Sequence, residues 1–169
     1  MKCALGIDSG TQSVKALVVR EDGRVCGRGQ APHSMIEGLG PGAEEQDPAE
    51  WISAMVSAAR TALAEAGPVA EIVGIGVSGQ QHGFVPIDES GNVIRPAKLW
   101  CDTSTSKEVE DIYKACGGAE DYRAEIGNLL PVGFTASKIA WLRKSEPENF
   151  ARLWKVLLPH DYINYWLTG

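Results

Sequence analysis

The sequence predicts an α/β fold in which a mixed sheet is covered by helices. Three observations carry that expectation. Short apolar runs follow one another at the N-terminus, a capped stretch with helical periodicity succeeds them, and a continuous apolar run of strand length then leads into further helical segments. A chain of 169 residues, 44% hydrophobic and 22% charged, is long enough to bury a core and has the balance of one soluble globular domain.

The first strand is expected in "CALGID", the second in "SVKALVVR" and the third in "RVCGRGQAP". Glu21-Asp22-Gly23 joins the last two as a hairpin, because Asp-Gly supplies positive φ without steric cost. "MIEGLGPGAEEQ" is Gly-rich and polar and reads as a loop. In "DPAEWISAMVSAARTALAEAGP" the period becomes helical, with Ile52, Val56, Ala59 and Leu63 on one stripe and Trp51 and Met55 beside it. Asp47 suits the N-cap, Pro48 the first helical position and Glu50 the far side of a capping box, and Gly67-Pro68 ends the helix.

"EIVGIGVSGQQHG" then reads as a buried inner strand, because an unbroken apolar run suits cover on both faces. "FVPIDESGNVIRP" reads as a hairpin of two short strands around Ser90-Gly91-Asn92. Helices are expected in "TSTSKEVEDIYKACGG" and in "TASKIAWLRKSEPENFARL", the second interrupted near Pro147. "WKVLLPHDYINYWLTG" reads as a final strand leading into a short helix.

The net charge of -6, mixed along the chain without a basic run, leaves no electrostatic footprint for nucleic acid or an anionic membrane. Cys3, Cys26, Cys101 and Cys116 are scattered, with no CxxC pair and no His at ligand spacing, so they are expected as reduced thiols in a cytoplasmic protein. The N-terminal apolar run is too short for a signal peptide, and none approaches membrane-spanning length. The chain stops directly after a helical pattern, which raises the expectation of a fragment.

Three polar clusters carry the candidate chemistry. A phosphate-binding turn needs small residues that let backbone N–H groups face inward, and hydroxyls that donate to phosphoryl oxygens. Ser9, Gly10, Thr11, Gln12 and Ser13 meet both needs, Asp8 can hold Mg²⁺ through water, and Lys15 adds a positive charge. The spacing is neither a P-loop nor a dinucleotide fingerprint, and the same residues suit an ordinary hairpin turn. In "VSGQQHGF", Gln80, Gln81 and His82 sit at the C-terminal end of an expected inner strand, where ligands commonly bind α/β sheets. They suit directed hydrogen bonds to a polyhydroxylated molecule, with Gly79 and Gly83 allowing close approach, or else form a polar turn with an exposed His. In "KLWCDTST", Asp102 reads either as an acceptor for sugar hydroxyls beside the Trp100 face or as a helix cap.

The remaining candidates read as structural. His33 and the neighbouring pair His160 and Asp161 fit packing or capping, since sequence neighbours on a helix point apart. Ser78 near His82 lacks the G-x-S-x-G elbow of a nucleophile. Trp51, Trp141, Trp154 and Trp166 are expected in the core.

"GIDSGTQSVK", "EEQDPAEW", "GVSGQQHG", "LWCDTST", "GFTASKIAWL" and "LLPHDYINYWLTG" occur in the order seen in the FGGY family of carbohydrate kinases. The chain resembles the N-terminal part of that family over essentially its whole length. The resemblance implies an actin-like, ribonuclease-H-like lobe with a mixed five-stranded sheet. Residues 1–169 would form the sugar-binding side of an incomplete N-terminal lobe, with the C-terminal lobe absent. It implies transfer of the γ-phosphoryl group of ATP, with Mg²⁺, to a sugar hydroxyl, with D-xylulose as the expected sugar.

Position by position, Asp8 matches the family's aspartate on the metal and phosphate side, with Mg²⁺ held through water. Thr11, Gln12 and Ser13 match its phosphate-binding turn, and Lys15 falls where several members place a basic residue. Gln81 and His82 match the pair that contacts the sugar, and Asp102 an acidic position facing the sugar pocket. Gln81 stands where relatives often carry Met, no Arg follows Asp102, and Gly133 lies near where glycerol kinases place an aromatic residue. The family's general base belongs to the second lobe. No catalytic base is therefore expected in this chain, and the chain alone is expected to be inert. Two other readings stay open: a kinase of the same family acting on ribulose, glycerol, gluconate or fuculose, and an actin-like nucleotide switch. A homodimer is the candidate assembly.

Overall fold

The computed structural model describes the whole chain, Met1–Gly169. Its elements begin with β1 (Lys2–Ser9), β2 (Ser13–Arg20), β3 (Val25–Pro32), β4 (Glu45–Gln46), α1 (Pro48–Ala66) and β5 (Glu71–Gly79). There follow β6 (Val85–Ile87), β7 (Ala97–Lys98), α2 (Ser106–Ala115), α3 (Ala119–Ile126) and α4 (Thr135–Ser145). The chain ends with α5 (Pro147–Ala151), β8 (Lys155–Leu157) and α6 (Pro159–Thr168). They form two compact units, the first made of Met1–Met35, Asp47–Gln81 and Pro159–Gly169, the second of Ile36–Gln46 and His82–Leu158.

The first unit is a four-stranded sheet in the order β3-β2-β1-β5. The meander β1-β2-β3 is antiparallel and β5 runs parallel to β1, so the sheet is mixed as the sequence predicts. Period-two alternation sends Cys3, Leu5 and Ile7 of β1 and Val14, Ala16 and Val18 of β2 to one buried face. That face packs with Ala54, Met55, Ala58 and Ala62 of α1 and with Ile163 of α6.

The stripe expected on α1 is only its flank: Ile52, Val56, Ala59 and Leu63 are half-buried, whereas Trp51, Ala54, Met55, Ala58 and Ala62 are buried. Gly27 and Gly29 on β3 explain the rotation. A Cβ at Gly29 would lie 1.9 Å from the Ala58 carbonyl oxygen and one at Gly27 2.0 Å from that of Ala62. The helix backbone rests against the strand, so its small residues face the sheet. Asp47 caps α1 as expected, its Oδ1 accepting the Ala49 N–H at 2.9 Å. Glu50 instead turns its carboxylate to the Ser34 N–H, at 2.9 Å, where it fastens the start of the loop that follows β3.

Two expectations are corrected here. The sheet has four strands, not five, because β8 is three residues long and pairs with β6 in the second unit. β5 is an edge strand, not a buried inner one, with Val73 59% and Ile75 53% exposed. An apolar run shows that a strand suits cover on both faces, but its neighbours decide whether it has that cover.

The second unit holds two short antiparallel ribbons, β6 with β8 and β4 with β7, together with α2 to α5. Phe84, Val85, Ile87, Leu99 and Leu142 are fully buried there. The turn expected at Ser90-Gly91-Asn92 forms, with the N–H groups of Ser90 and Asn92 donating to Asp88 Oδ1. Its return strand is reduced to one bridge, Ile87 with Val93, because β6 pairs with β8. α4 gives way to α5 at Pro147 as predicted. α3 was not anticipated, since it buries no residue and so carries no apolar period.

Of the tryptophans expected in the core, Trp51 is buried. Trp154 and Trp166 are about half exposed. Trp154 lies under the Lys155 ammonium, 3.7 Å from its ring centroid, and on α6 the buried residues are Pro159 and Ile163. Trp141 is half-buried, beneath Arg95 and Lys98 at 4.9 and 4.3 Å from its centroid. The four cysteines are free thiols, and no helix is long and apolar enough to cross a membrane.

Candidate functional site

In the first unit the polar turn between β1 and β2 is closed by the Gly10 N–H, which donates to the Ser13 carbonyl at 3.1 Å. The antiparallel register sets Asp8 opposite Lys15. Asp8 alternates with the buried Ile7 and Ser9, so its carboxylate projects from the exposed face. The parallel pairing of β5 brings Ser78 beside Asp8, and Ser78 Oγ donates to Asp8 Oδ1 at 2.8 Å. A cavity of about 500 Å³ opens over this face, with Gly6 and Gly76 as its floor and Asp8, Lys15, Leu17 and Ser78 among its walls. A Cβ at Gly76 would meet nothing within 4 Å, so the space above it belongs to the cavity.

An ammonium and an exposed carboxylate over a glycine floor fit an anion that travels with a divalent cation, the carboxylate side taking the cation and the ammonium side the anion. No group of three or more His, Cys, Asp or Glu side chains converges to form an all-protein metal centre. A cation held by Asp8 would complete its shell with water and the anion's own oxygens.

Thr11 and Ser13 are half-buried in the turn and Gln12 is exposed. Ser13 Oγ accepts from Gln30 Nε2 at 3.0 Å, and the Gln12 carbonyl accepts the His33 N–H at 3.2 Å. His33 Nε2 donates to the Gly10 carbonyl at 3.0 Å, so the ring carries its proton on Nε2. Burial pushes the His33 pKa down, and its Nδ1 is buried without a hydrogen-bond partner, as suits a neutral ring. The sequence left His33 a packing role; the structure adds that it packs on the polar turn. The available signal was the hairpin register, which pairs Ser13 with Pro32, the residue before His33.

His82 begins the longer segment of the second unit and is the one non-glycine residue with positive φ, 58°. Its ring stacks on Phe134 at 3.8 Å between centroids and 9° between planes. Its carbonyl accepts from Lys138 Nζ at 2.8 Å and from Thr135 Oγ1 at 3.2 Å. Gln81 is exposed at the end of the Asp47–Gln81 segment of the first unit, and the N–H of the preceding Gln80 donates to the Ser9 carbonyl at 2.9 Å. The loop therefore leaves β5 tied to the end of β1, the strand that carries Asp8.

Asp102 is 0% exposed and saturated. Its Oδ2 accepts from Lys98 Nζ at 3.1 Å and from the Glu44 N–H at 3.0 Å. Its Oδ1 accepts from the Ser104 N–H at 3.0 Å and from Ser104 Oγ at 2.6 Å. Burial opposes the charge, but the Ser104 hydroxyl, the Glu44 amide and the Lys98 ammonium outweigh it and hold the carboxyl below its ordinary range. The α2 N-cap is Thr105, so Asp102 orders the turn ahead of the helix and does not cap it. A sugar hydroxyl reaches this carboxylate only if Ser104 or Lys98 gives up its bond. Lys98 is held from its other side by Glu45 at 3.0 Å, and Glu45 also binds Arg95 at 2.7 Å. His160 and Asp161 do meet, at 3.3 Å, although sequence neighbours usually diverge.

Asp8, Lys15 and residues 11–13 thus share one strand end of the first unit. In the second, His82 stands with Phe134, Thr135 and Lys138. Sequence reasoning did not single out Lys138, although its place in the apolar run "KIAWL" was a sign that it points inward.

Comparison with known proteins bears on these sites. Residues 3–169 match the N-terminal domain of the FGGY family of carbohydrate kinases. The chain is 42% identical over 171 residues to a xylulose kinase of Haemophilus influenzae, covering 98% of this chain and 34% of that protein. It is 40% identical over 167 residues to a xylulose kinase of Streptomyces coelicolor, covering 98% and 33%. Among solved structures, xylulose kinase from Rhodospirillum rubrum superposes with a TM-score of 0.89 at 29% identity, over 96% of this chain and 33% of that one. The chain spans about a third of the length of the relatives it matches. Its architecture is the actin-like ATPase fold of these sugar kinases. With the family's N-terminal domain matched from Cys3 to Gly169, the chain belongs to the FGGY family of carbohydrate kinases.

Proposed function

We propose that the chain is the N-terminal lobe of a two-lobed, ATP-dependent sugar kinase that converts D-xylulose to D-xylulose 5-phosphate in the cytoplasm. The observation that carries this reading is the exposed Asp8 carboxylate facing Lys15 over the Gly6 and Gly76 floor, in a chain similar along its length to xylulose kinases. ATP with Mg²⁺, when bound, supplies the transferable phosphoryl group and the cation that neutralises its charge.

Each residue then has a defined task. Asp8 would hold the cation, Thr11, Gln12 and Ser13 would offer amides and hydroxyls to the phosphates, and Lys15 would balance their charge. Ser78 keeps the Asp8 carboxylate oriented. The Gln81 amide and the His82 ring hold sugar hydroxyls, and the Phe134 stack fixes the plane of that ring. Asp102 joins the sugar side only by exchanging its bond to Ser104. The base that accepts the hydroxyl proton comes from the second lobe, so this chain alone turns over no ATP. The candidate assembly of the whole kinase is a homodimer.

The test is a panel of D-xylulose, ribulose, glycerol, gluconate and fuculose offered with MgATP to the two-lobed protein and to the 169-residue chain. The expected result is phosphorylation of D-xylulose at the highest kcat/KM by the two-lobed protein and no turnover by the chain. A higher kcat/KM for another sugar, or xylulose-dependent ATP hydrolysis by the chain alone, overturns the proposal.

A further inference from the structure

Lys138 is a fully buried cation that the reaction does not use, and its acceptors are carbonyls where a carboxylate would be expected. Nζ donates to His82 O at 2.8 Å, Leu99 O at 2.6 Å and Gly133 O at 2.6 Å. Those bonds use all three ammonium protons. The nearby carboxylate of Asp102 is taken by Lys98. An ammonium buried among neutral dipoles is a costly way to fill space, and an apolar side chain of similar length would fill it more cheaply. The return for that cost lies in what the three carbonyls belong to: the His82 backbone, the strand end before Trp100, and the turn that carries Phe134.

His82 needs holding. Its φ of 58° is a conformation that a residue with a Cβ keeps only when its surroundings impose it. The imposing groups are Lys138 and Thr135 on its carbonyl and Phe134 beneath its ring. Gly133 draws the Phe134 turn against Leu99-Trp100, since a Cβ there would lie 2.1 Å from the Trp100 carbonyl oxygen. With one ammonium Lys138 ties the His82 carbonyl and the floor under the His82 ring into the same frame.

We propose that Lys138 is the positioning residue of the sugar site, fixing through three carbonyls the backbone and ring direction with which His82 meets a sugar hydroxyl. This rests on the reading of His82 as a sugar contact. Lys138 does not itself touch the sugar. The charged and titratable groups that face it are Asp102, Cys101 and Lys98. Burial pushes its own pKa down to about 8, against the attraction of Asp102. On losing a proton it keeps two donors for three carbonyls, so the frame loosens as pH rises through that value.

The experiment compares the unsubstituted two-lobed kinase with Lys138→Met and His82→Ala, reading KM for D-xylulose, KM for ATP and kcat. It also reads the NMR shift of the His82 ring protons in the 169-residue chain, which the Phe134 stack moves upfield. The expected result for Lys138→Met is a xylulose KM raised roughly tenfold or more with ATP KM unchanged, because a displaced contact weakens the sugar alone. The upfield shift should be lost with it. A retained upfield shift, or a lost shift with unchanged xylulose KM while His82→Ala raises it, overturns the role of Lys138. If His82→Ala itself leaves xylulose KM unchanged, the underlying assignment of His82 fails, and the positioning role falls with it.

Should Lys138→Met not fold, titrating the unsubstituted protein from about pH 7 to about pH 9.5 gives the same readouts. The His82 ring shift and xylulose KM should then move together with a midpoint near 8, and a flat profile in either overturns the proposal.

Discussion

Replacing Asp102 with Ala separates its two roles, sugar ligand and buried anchor. Its carboxylate accepts four hydrogen bonds, from Lys98 Nζ, the Glu44 N–H, the Ser104 N–H and Ser104 Oγ. Truncation strips these donors at once and leaves the 2%-exposed Lys98 ammonium with one carboxylate, Glu45, which Arg95 already engages, beside the neutral Ser104 hydroxyl and the Trp141 ring. Breaking a buried ion pair from one side costs about 3–5 kcal/mol, because the remaining charge stays desolvated. Domains of this kind hold roughly 5–15 kcal/mol in all, so the variant should be marginal. Ser104→Ala, which removes the hydroxyl's bonds to Asp102 and from Lys98 but leaves the ion pair, should cost about 1–2 kcal/mol.

The assay is urea unfolding of the chain followed by tryptophan fluorescence, with D-xylulose KM measured on the two-lobed protein. The Asp102 carboxyl is held below its ordinary 3.8 in the fold, so its contribution is present above that pH and is lost as pH falls through the folded value. The gap between the unsubstituted protein and Asp102→Ala should therefore narrow below about pH 4. A stability change under about 1 kcal/mol, together with a xylulose KM raised more than about tenfold, would refute the buried-anchor reasoning and return Asp102 to the sugar.

Other outcomes follow from the same geometry. Gly29→Ala should cost about 1–3 kcal/mol or more, read as a lower unfolding midpoint. Its Cβ would lie 1.9 Å from the backbone oxygen of Ala58, which cannot move without shifting α1. Gly76→Val should leave the unfolding midpoint unchanged, because a Cβ there meets nothing within 4 Å, yet raise the ATP KM of the two-lobed protein by filling the Asp8 cavity. His33, its pKa lowered from 6.5 by burial, takes up a proton less readily folded than unfolded, so acid costs stability as pH falls below that value. Melting temperatures at about pH 7.5 and about pH 5.5 should differ more for the unsubstituted protein than for His33→Ala.

Much of this fold is legible in the sequence because its signals are local. Alternation in "CALGID" and "SVKALVVR" marks strands by a period of two residues, and Asp22-Gly23 closes its turn through its own φ. Asp47, Pro48 and Gly67 bound α1 because capping involves groups within about one helical turn, Ala49 at one end and Leu63 at the other. What was misread depends on partners far along the chain. The buried face of α1 was set by two glycines on β3, and β5 read as an inner strand although its neighbours leave it at an edge. α3 escaped notice because it buries nothing.

The candidate site divides in the same way. By itself the sequence determined the chemistry on offer: a carboxylate, hydroxyls and an ammonium at one turn, amides and an imidazole at a second, and an order of motifs that names a family. Side-chain chemistry and chain order need no folding to be read. The tertiary structure alone decided which groups are available. It opened Asp8 by giving it a glycine floor, closed Asp102 by surrounding it with four donors, and joined His82 to Lys138 across 56 positions of chain. Burial and hydrogen-bond saturation are properties of neighbours in space, and residues that far apart become neighbours only when the chain has folded.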